Sequence, residues 1–254
     1  KIDFISSVFD EDSVDFIKKK IQSKIIKLPS GEINNYLILR KLKLTNYKIL
    51  ISTGMSNYKE IAQSINTIAK EKIFKIVDNK VKIVNKRIFK KVKKQVCIMH
   101  CVTDYPVIKT QANLKCIDNI KKDFRLTVGY SDHTLGIIAP VIAVSKGACV
   151  IEKHFTLDRN MKGPDHIFSI EPNELKNLII KLRDMEAALG DGEKNGPRPE
   201  EKEMYEKGRR SLHAYVDIEK GSTITNEMLC VKRPGLGLAP YRKKDIIGKK
   251  AKYD

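Results

Sequence analysis

Three polar side chains suited to acid, base and ligand chemistry stand in a row at Ser131, Asp132 and His133, just after the apolar run LTVGY. A second imidazole, His154, follows Glu152 at the end of ACVIEKHF. Two neutral imidazoles on neighbouring strands can hold one divalent cation and leave positions open for substrate and water. Other apolar runs end in the same way. Ser6 and Ser7 lie in FISSVF, Lys27, Ser30 and Glu32 in KLPSGE, Ser52 and Thr53 in STGM, and His100, Thr103, Asp104 and Tyr105 in HCVTDYP. An ammonium with several hydroxyls binds a phosphate or carboxylate, and Glu32 can carry a proton. Taken singly, each group has another reading. His133 or His154 alone could be a hydrogen-bonded structural histidine, Ser30 with Gly31 a turn, Ser52 with Thr53 a helix cap, and His100 a packing residue. Recurrence at the end of every run favours a ring of functional groups.

The elements that must carry this ring can be read from periodicity. Apolar runs predict strands at 4–9, 24–28, 47–52, 95–101, 126–130 and 148–155. Helical patterns separate them: DEDSVDFIKKKIQ, NNYLILRKLKL, SNYKEIAQSINTIAK, TQANLKCIDNIKKDF and TLGIIAPVIAVSKG. Strand and helix alternate throughout, which implies a parallel sheet, closed as a barrel or open and doubly wound. No GxGxxG fingerprint follows an early strand, so an α/β (β/α)8 TIM-type barrel is expected, N-terminally incomplete with six βα units. Its active face lies at the C-terminal strand ends. The SDH stretch is then one sector of a rim, and the helix after it is expected to open at an anion-binding terminus. Pro172 starts a last helix with apolar residues on one face, and Gly190 stops it. The expected domains are a partial barrel at 1–190, a Gly-, Pro- and charge-rich linker at 191–208, and a small β-rich domain at 209–254.

Bulk composition narrows the classes. The 254 residues are 41% hydrophobic, enough for a sizeable core, and no run of about 18 uncharged apolar residues marks a membrane span. The start KIDFISSVFD reads as a strand within a domain and carries no signal-peptide pattern. Five cysteines without a CxxC pair argue against a disulfide framework or structural zinc site and fit a reducing cytoplasm. The formal net charge of +18 raises a nucleic-acid reading, yet 71–95 alone holds ten Lys or Arg against Glu71 and Asp78. That segment is read as a solvated, compositionally biased insertion, with no nucleic-acid partner and no membrane contact expected.

The motifs KLPSGEINNY, ILISTGM, HCVTDYP, VGYSDHTLG, ACVIEKHFTLDRNMKGPDH, RRSL and VKRPGLGL together resemble the sialic acid synthase family, which includes N-acetylneuraminate and legionaminate synthases. PSGE and HC favour that branch over the pseudaminate one, where related motifs read SFE and KC. The resemblance implies a (β/α)8 barrel joined to an antifreeze-like (SAF) domain. It also implies condensation of phosphoenolpyruvate with an N-acyl amino sugar and water, giving a nine-carbon 2-keto acid and phosphate. The sugar would be N-acetylmannosamine or its 2,4-diacetamido-6-deoxy analogue. By the same resemblance Ser7, Lys27, Ser30, Ser52, Thr103 and Ser131 would bind phosphoenolpyruvate, while Tyr105 and Asp165 would face the sugar. His133 and His154 would hold Mn²⁺ or Mg²⁺, and Glu32 would shuttle a proton. Arg233 would reach the site of a second subunit, making a domain-swapped homodimer, although a Pro-Gly turn displaying Lys232 and Arg233 also reads as a solvated loop. The chain lacks the family's first two barrel units, carries Ser-Val in FISSVF and Thr at 103, and stops before the small domain finishes, so it is expected to be a fragment of a gene product. The alternative is a non-catalytic carbohydrate-binding remnant, and a nucleic-acid-binding protein stands third.

Overall fold

The computed structural model describes residues 2–44 and 47–254, in two compact units that divide after Gly190. In the first unit six strands form one sheet: β1 (Ser6–Ser7), β2 (Ile25–Leu28), β3 (Lys48–Ser52), β6 (Val96–Cys101), β7 (Thr127–Asp132) and β8 (Val150–Lys153), neighbours in that order. Every pairing is parallel. The helices between them are α1 (Glu11–Phe16), α2 (Tyr36–Leu42), α3 (Tyr58–Ala69), α4 (Lys86–Gln95), α5 (Lys115–Phe124) and α6 (Ile138–Ser145), with α7 (Pro172–Leu189) after the last strand. All six predicted strands occur, although the first is cut to two residues.

Alternation along the strands decides what each face does. Ile26, Leu28, Ile49, Ile51, Ile98, Val128 and Tyr130 belong to the main core, together with Ile61, Ile65 and Ile68 of α3 and Ile117, Ile120 and Phe124 of α5. Residues of the opposite parity, Leu50, Cys97 and Met99, form a separate small cluster. Lys27, Ser52, Cys101 and Ser131 share that second parity, so the inner face turns from apolar to polar toward the C-terminal strand ends. Gly129 has the same parity, and a Cβ there would crowd Met99 Sδ and meet the Val150 carbonyl at 2.8 Å, so the position suits glycine.

Helix starts follow capping chemistry. Asp10 accepts from the Ser13 amide ahead of α1, and Asn57 with Glu60 forms a capping box on α3. The α3 cap is therefore Asn57, and Thr53 instead donates its hydroxyl to the Met99 carbonyl. On α7, Pro172 opens the helix and Gly190, at φ 59°, ends it.

Residues 71–95 are not a solvated insertion. They form the hairpin of β4 (Phe74–Val77) and β5 (Lys80–Ile83), followed by α4. Asp78 and Asn79 both take positive φ, as a two-residue hairpin turn requires. The segment buries Ile73, Phe74, Ile88 and Val92 in the main core and turns its lysines outward. Phe74 meets Phe124 edge-on at 5.3 Å, and Phe124 meets Tyr58 at the same distance.

In the second unit β9 (Ser211–Ala214) pairs antiparallel with β10 (Leu229–Lys232). The 191–208 stretch contains a 3₁₀ turn at Pro199–Glu201 and helix α8 (Lys202–Gly208), so much of the predicted linker is ordered backbone. Among the described residues no helix is long and apolar enough to cross a membrane.

Phe124 is fully buried at the junction of two edge-on aromatic contacts. Phe124→Ala should therefore lower unfolding stability by about 3–5 kcal/mol, measured by urea denaturation. A loss below about 1 kcal/mol would show that the hairpin and α5 repack around the space.

Candidate functional site

All six strands point their C-terminal ends at one cavity of ≈ 580 Å³. From β1 comes Ser7, and from β2 comes Lys27 with Ser30 on the 3₁₀ turn that follows. Ser52 ends β3, Cys101 ends β6 with Thr103 and Tyr105 beyond it, and Ser131 to His133 end β7. Glu152, Lys153 and His154 close the rim at β8. Register places Cys101, Ser131 and Glu152 on one rung across three strands.

One side of the cavity gathers groups that could bind an anion. Lys27 is 6% exposed, and its ammonium lies 3.3 Å from the Glu152 carboxylate and 3.4 Å from the Leu28 carbonyl. Around it, Ser52 Oγ and Thr103 Oγ1 are buried without a hydrogen-bond partner among the described residues. Buried hydroxyls of this kind cost free energy unless something satisfies them, so their convergence marks a place for a ligand oxygen. Ser30 Oγ accepts from the Gly54 amide at 3.0 Å, which ties the β2 turn to the β3 turn.

The second half of the cavity is aromatic and imidazole. His133 Nδ1 lies 2.8 Å from the Val102 carbonyl. A carbonyl only accepts, so Nδ1 carries a proton, and in the neutral ring Nε2 keeps its lone pair. His154 stands close by, with ring centroids 5.4 Å apart, and Tyr105 tilts over His133 at 4.2 Å. Burial, then the neighbouring His133, pushes the His154 pKa down and favours its neutral form. At His133 burial works the same way, but the Cys101 sulfur and the Val102 carbonyl outweigh it and raise the pKa. Such a pair, one nitrogen fixed by a backbone carbonyl, fits a divalent cation. Among the described residues no group of three or more His, Cys, Asp and Glu side chains converges on one point, so the two imidazoles would leave the remaining coordination positions to other donors.

Behind the rim lies a charged pair. Lys153 Nζ donates to Asp132 Oδ2 and to the Thr134 carbonyl, each at 2.6 Å. Asp132 Oδ1 accepts from Tyr130 Oη at 2.9 Å and from the Thr134 amide at 2.8 Å.

Of the residues singled out in the sequence, Ser7, Lys27, Ser30, Ser52, Thr103, Tyr105, Ser131, His133 and His154 meet in this cavity. Three do not. The Glu32 carboxylate, on the turn after β2, accepts from Asn35 Nδ2 at 2.7 Å. Asp165 is exposed and stands beside the cavity, 3.7 Å from His154 Nδ1. Arg233 is exposed, directly after β10 in the second unit. His100 belongs to packing: it is buried and its Nε2 lies 2.9 Å from the Ala112 carbonyl. The helix after SDH opens only at Ile138, so Thr134 to Ile137 separate the rim from its N-terminus. Sequence reasoning placed Glu152 at the rim but missed Cys101 and Lys153 as cavity residues; period-two counting back from Thr103 would have found Cys101.

Cys97 belongs to the inner-face cluster, and burial pushes its thiol up to about 12. All five cysteines are free thiols.

Comparison with known proteins gives a consistent result. A model described as the NeuB family matches residues 1–194, and one described as the SAF domain matches residues 209–254. The chain is 39% identical to an N,N'-diacetyllegionaminic acid synthase of Legionella pneumophila over 97% of its own length and 64% of the relative's. It is 42% identical to a Campylobacter jejuni protein of the same description, covering 98% of this chain and 68% of that one. Among solved structures, the N-acetylneuraminic acid synthetase of Leptospira borgpetersenii in complex with citrate superposes with a TM-score of 0.66 at 31% identity, over 80% of this chain and 63% of that one. The chain thus spans about two thirds of the length of these relatives.

Gly54 lets the β2 and β3 turns approach. A Cβ there would overlap Thr103 Oγ1 and come within 2.9 Å of Ser30 Oγ. Gly54→Ala should cost about 1–3 kcal/mol through overpacking, read by urea unfolding. Unchanged stability would mean that the two hydroxyls move aside freely.

Proposed function

The chain belongs to the NeuB family, and on that premise we propose that the complete protein condenses phosphoenolpyruvate with an N-acyl amino sugar and water. The products are a nine-carbon sialic-acid-type 2-keto acid and phosphate. One observation carries the reading: a buried ammonium, two unpartnered hydroxyls and two imidazoles open into a single cavity at the C-terminal ends of parallel strands. The complete fold is a (β/α)8 barrel, of which the six parallel strands are part.

Lys27 offsets the negative charge of phosphoenolpyruvate, and the hydroxyls of Ser7, Ser30, Ser52, Thr103 and Ser131 donate to its oxygens. This fixes the enol so that its C3 faces the aldehyde carbon of the open-chain sugar, which converts an encounter of two molecules into a positioned one. Tyr105 and Asp165 border the sugar's end of the cavity. His133 and His154 would hold Mn²⁺ or Mg²⁺, which would supply Lewis-acid polarisation of the aldehyde when bound. As C3 bonds to the aldehyde carbon, the aldehyde oxygen takes up a proton; water adds at C2 and loses one, and phosphate leaves as the C2 ketone forms. Glu32 is the proposed proton shuttle, and Glu152 is the carboxylate that the cavity itself contains. The free thiols support a reducing, cytoplasmic setting. The two relatives described above point to the 2,4-diacetamido-6-deoxy sugar over N-acetylmannosamine, a choice that assay of the full-length enzyme with both sugars resolves.

In the full-length protein His133→Ala and His154→Ala should each reduce metal-dependent synthesis by at least about 10³-fold, while circular dichroism and Tm stay near wild type because neither side chain belongs to the apolar core. Undiminished synthesis in either variant with excess chelator would sink the metal role.

Arg233 is proposed to complete the sugar site of a second subunit in a domain-swapped homodimer. Co-expressed full-length His133→Ala and Arg233→Ala chains should then recover activity, because each heterodimer contains one barrel with both imidazoles capped by an intact Arg233. Random pairing gives about half heterodimers with one good site each, or roughly a quarter of wild-type activity. Demonstrated heterodimers without activity would place Arg233 in its own subunit's site or in a surface turn.

A further inference from the structure

The pair of Asp132 and Lys153 is the least solvated charge pair among the described residues, with side chains 0% and 4% exposed. Two features make its location informative. The residues are direct partners in the β7–β8 register and form the last rung of that ladder. Each immediately precedes one of the two imidazoles: Asp132 precedes His133, and Lys153 precedes His154.

A buried ion pair adds little stability relative to apolar residues of the same volume, because desolvation offsets the attraction. At this position an apolar pair would leave Tyr130 Oη, the Thr134 amide and the Thr134 carbonyl without the partners they now have. All three groups sit on or beside the β7 end. The carboxylate holds the chain on both sides of His133, through Tyr130 before it and Thr134 after it, and the ammonium ties this knot to the residue before His154. The backbone that sets the spacing of the two rings is therefore held by this charged cluster together with two main-chain bonds, from the Val107 amide to the His133 carbonyl and from the Ile170 amide to the His154 carbonyl.

We infer that Asp132 and Lys153 are positioning residues: together they lock the ends of β7 and β8 so that His133 Nε2 and the His154 ring are spaced to share one divalent cation. The inference rests on the metal-binding reading of the two imidazoles and deepens it. It assigns cation affinity to a cluster that contributes no ligand, and it separates that affinity from phosphoenolpyruvate binding, whose hydroxyls lie mostly on β2, β3 and β6.

The test is Mn²⁺ titration of the full-length apoprotein by calorimetry, alongside Tm and the KM for phosphoenolpyruvate. Wild type should bind and His133→Ala should not; absence of Mn²⁺ binding by wild type would overturn the metal reading and this inference with it. With that reading intact, the Asp132→Asn/Lys153→Met double variant removes both charges without leaving either one buried alone. Its Mn²⁺ Kd should rise about 10–100-fold, the range seen when outer partners of ligating histidines are lost, while the KM for phosphoenolpyruvate changes less than about threefold. Leu178→Ala, a core variant on α7, serves as the control that lowers Tm and leaves the Kd unchanged. If the double variant fails to fold, Tyr130→Phe decides: it deletes only the hydroxyl that donates to Asp132 and should raise the Kd by at least about twofold. A Kd within error of wild type in the folded double variant, or in Tyr130→Phe should that be the variant that folds, overturns the positioning role.

Discussion

Everything in the first unit depends on the period of two along parallel strands. One parity of β2, β3, β6 and β7 enters the main core against the helices, and the other turns inward. Ahead of those strands' C-terminal ends the inward set includes Leu50, Cys97 and Met99. At their C-terminal ends it becomes Lys27, Ser52, Cys101 and Ser131, with Glu152 on β8. A slip of one residue in any strand would send an ammonium or hydroxyl into the apolar layer and an isoleucine into the cavity. The fold and the site are thus enforced by the same register.

That arrangement puts charge and orphaned polar atoms where water is scarce. Lys27 has only Glu152 and a carbonyl nearby, and neither Ser52 Oγ nor Thr103 Oγ1 is satisfied among the described residues. The sheet can tolerate this because its opposite face is densely apolar. Deeper in the rim the logic reverses: Asp132 and Lys153 are fully partnered, so they rigidify where Lys27 awaits a ligand. Satisfied and unsatisfied polar groups, a few ångströms apart along the strands, divide the cavity wall into frame and receptor.

Much of this was legible in the residues. Ile26, Ile49, Ile98 and Val128 sit in apolar runs whose polar ends are visible by eye, and those ends meet as expected. What failed to read through was direction. Glu32 and Glu152 are equally plausible acids in a sequence, and only the turn after β2, where Asn35 engages Glu32, separates them. The Asp132–Lys153 pair was invisible because it depends on which residues of β7 and β8 fall opposite each other. The hairpin was misread for another reason. FKIVDNKVKI alternates apolar and polar around an Asp-Asn turn, but the lysine content drew attention to composition and away from the alternation.

The same hairpin bears on how the sheet forms. Joining β3 to β6 requires the longest excursion between adjacent strands, from Ser52 to Val96, and closing a long flexible loop carries an entropic cost paid before any ladder bond forms. A two-residue turn lets β4 and β5 pair locally, on a timescale of about 1–10 µs. Once paired, they bring the end of α3 and the start of α4 together and shrink the excursion to a few compact pieces. Asn66 secures this from α3, accepting from the amides of Ile73 and Phe74 and donating to the Phe74 carbonyl. The sheet's most distant neighbours along the chain are thus joined through its most local contact.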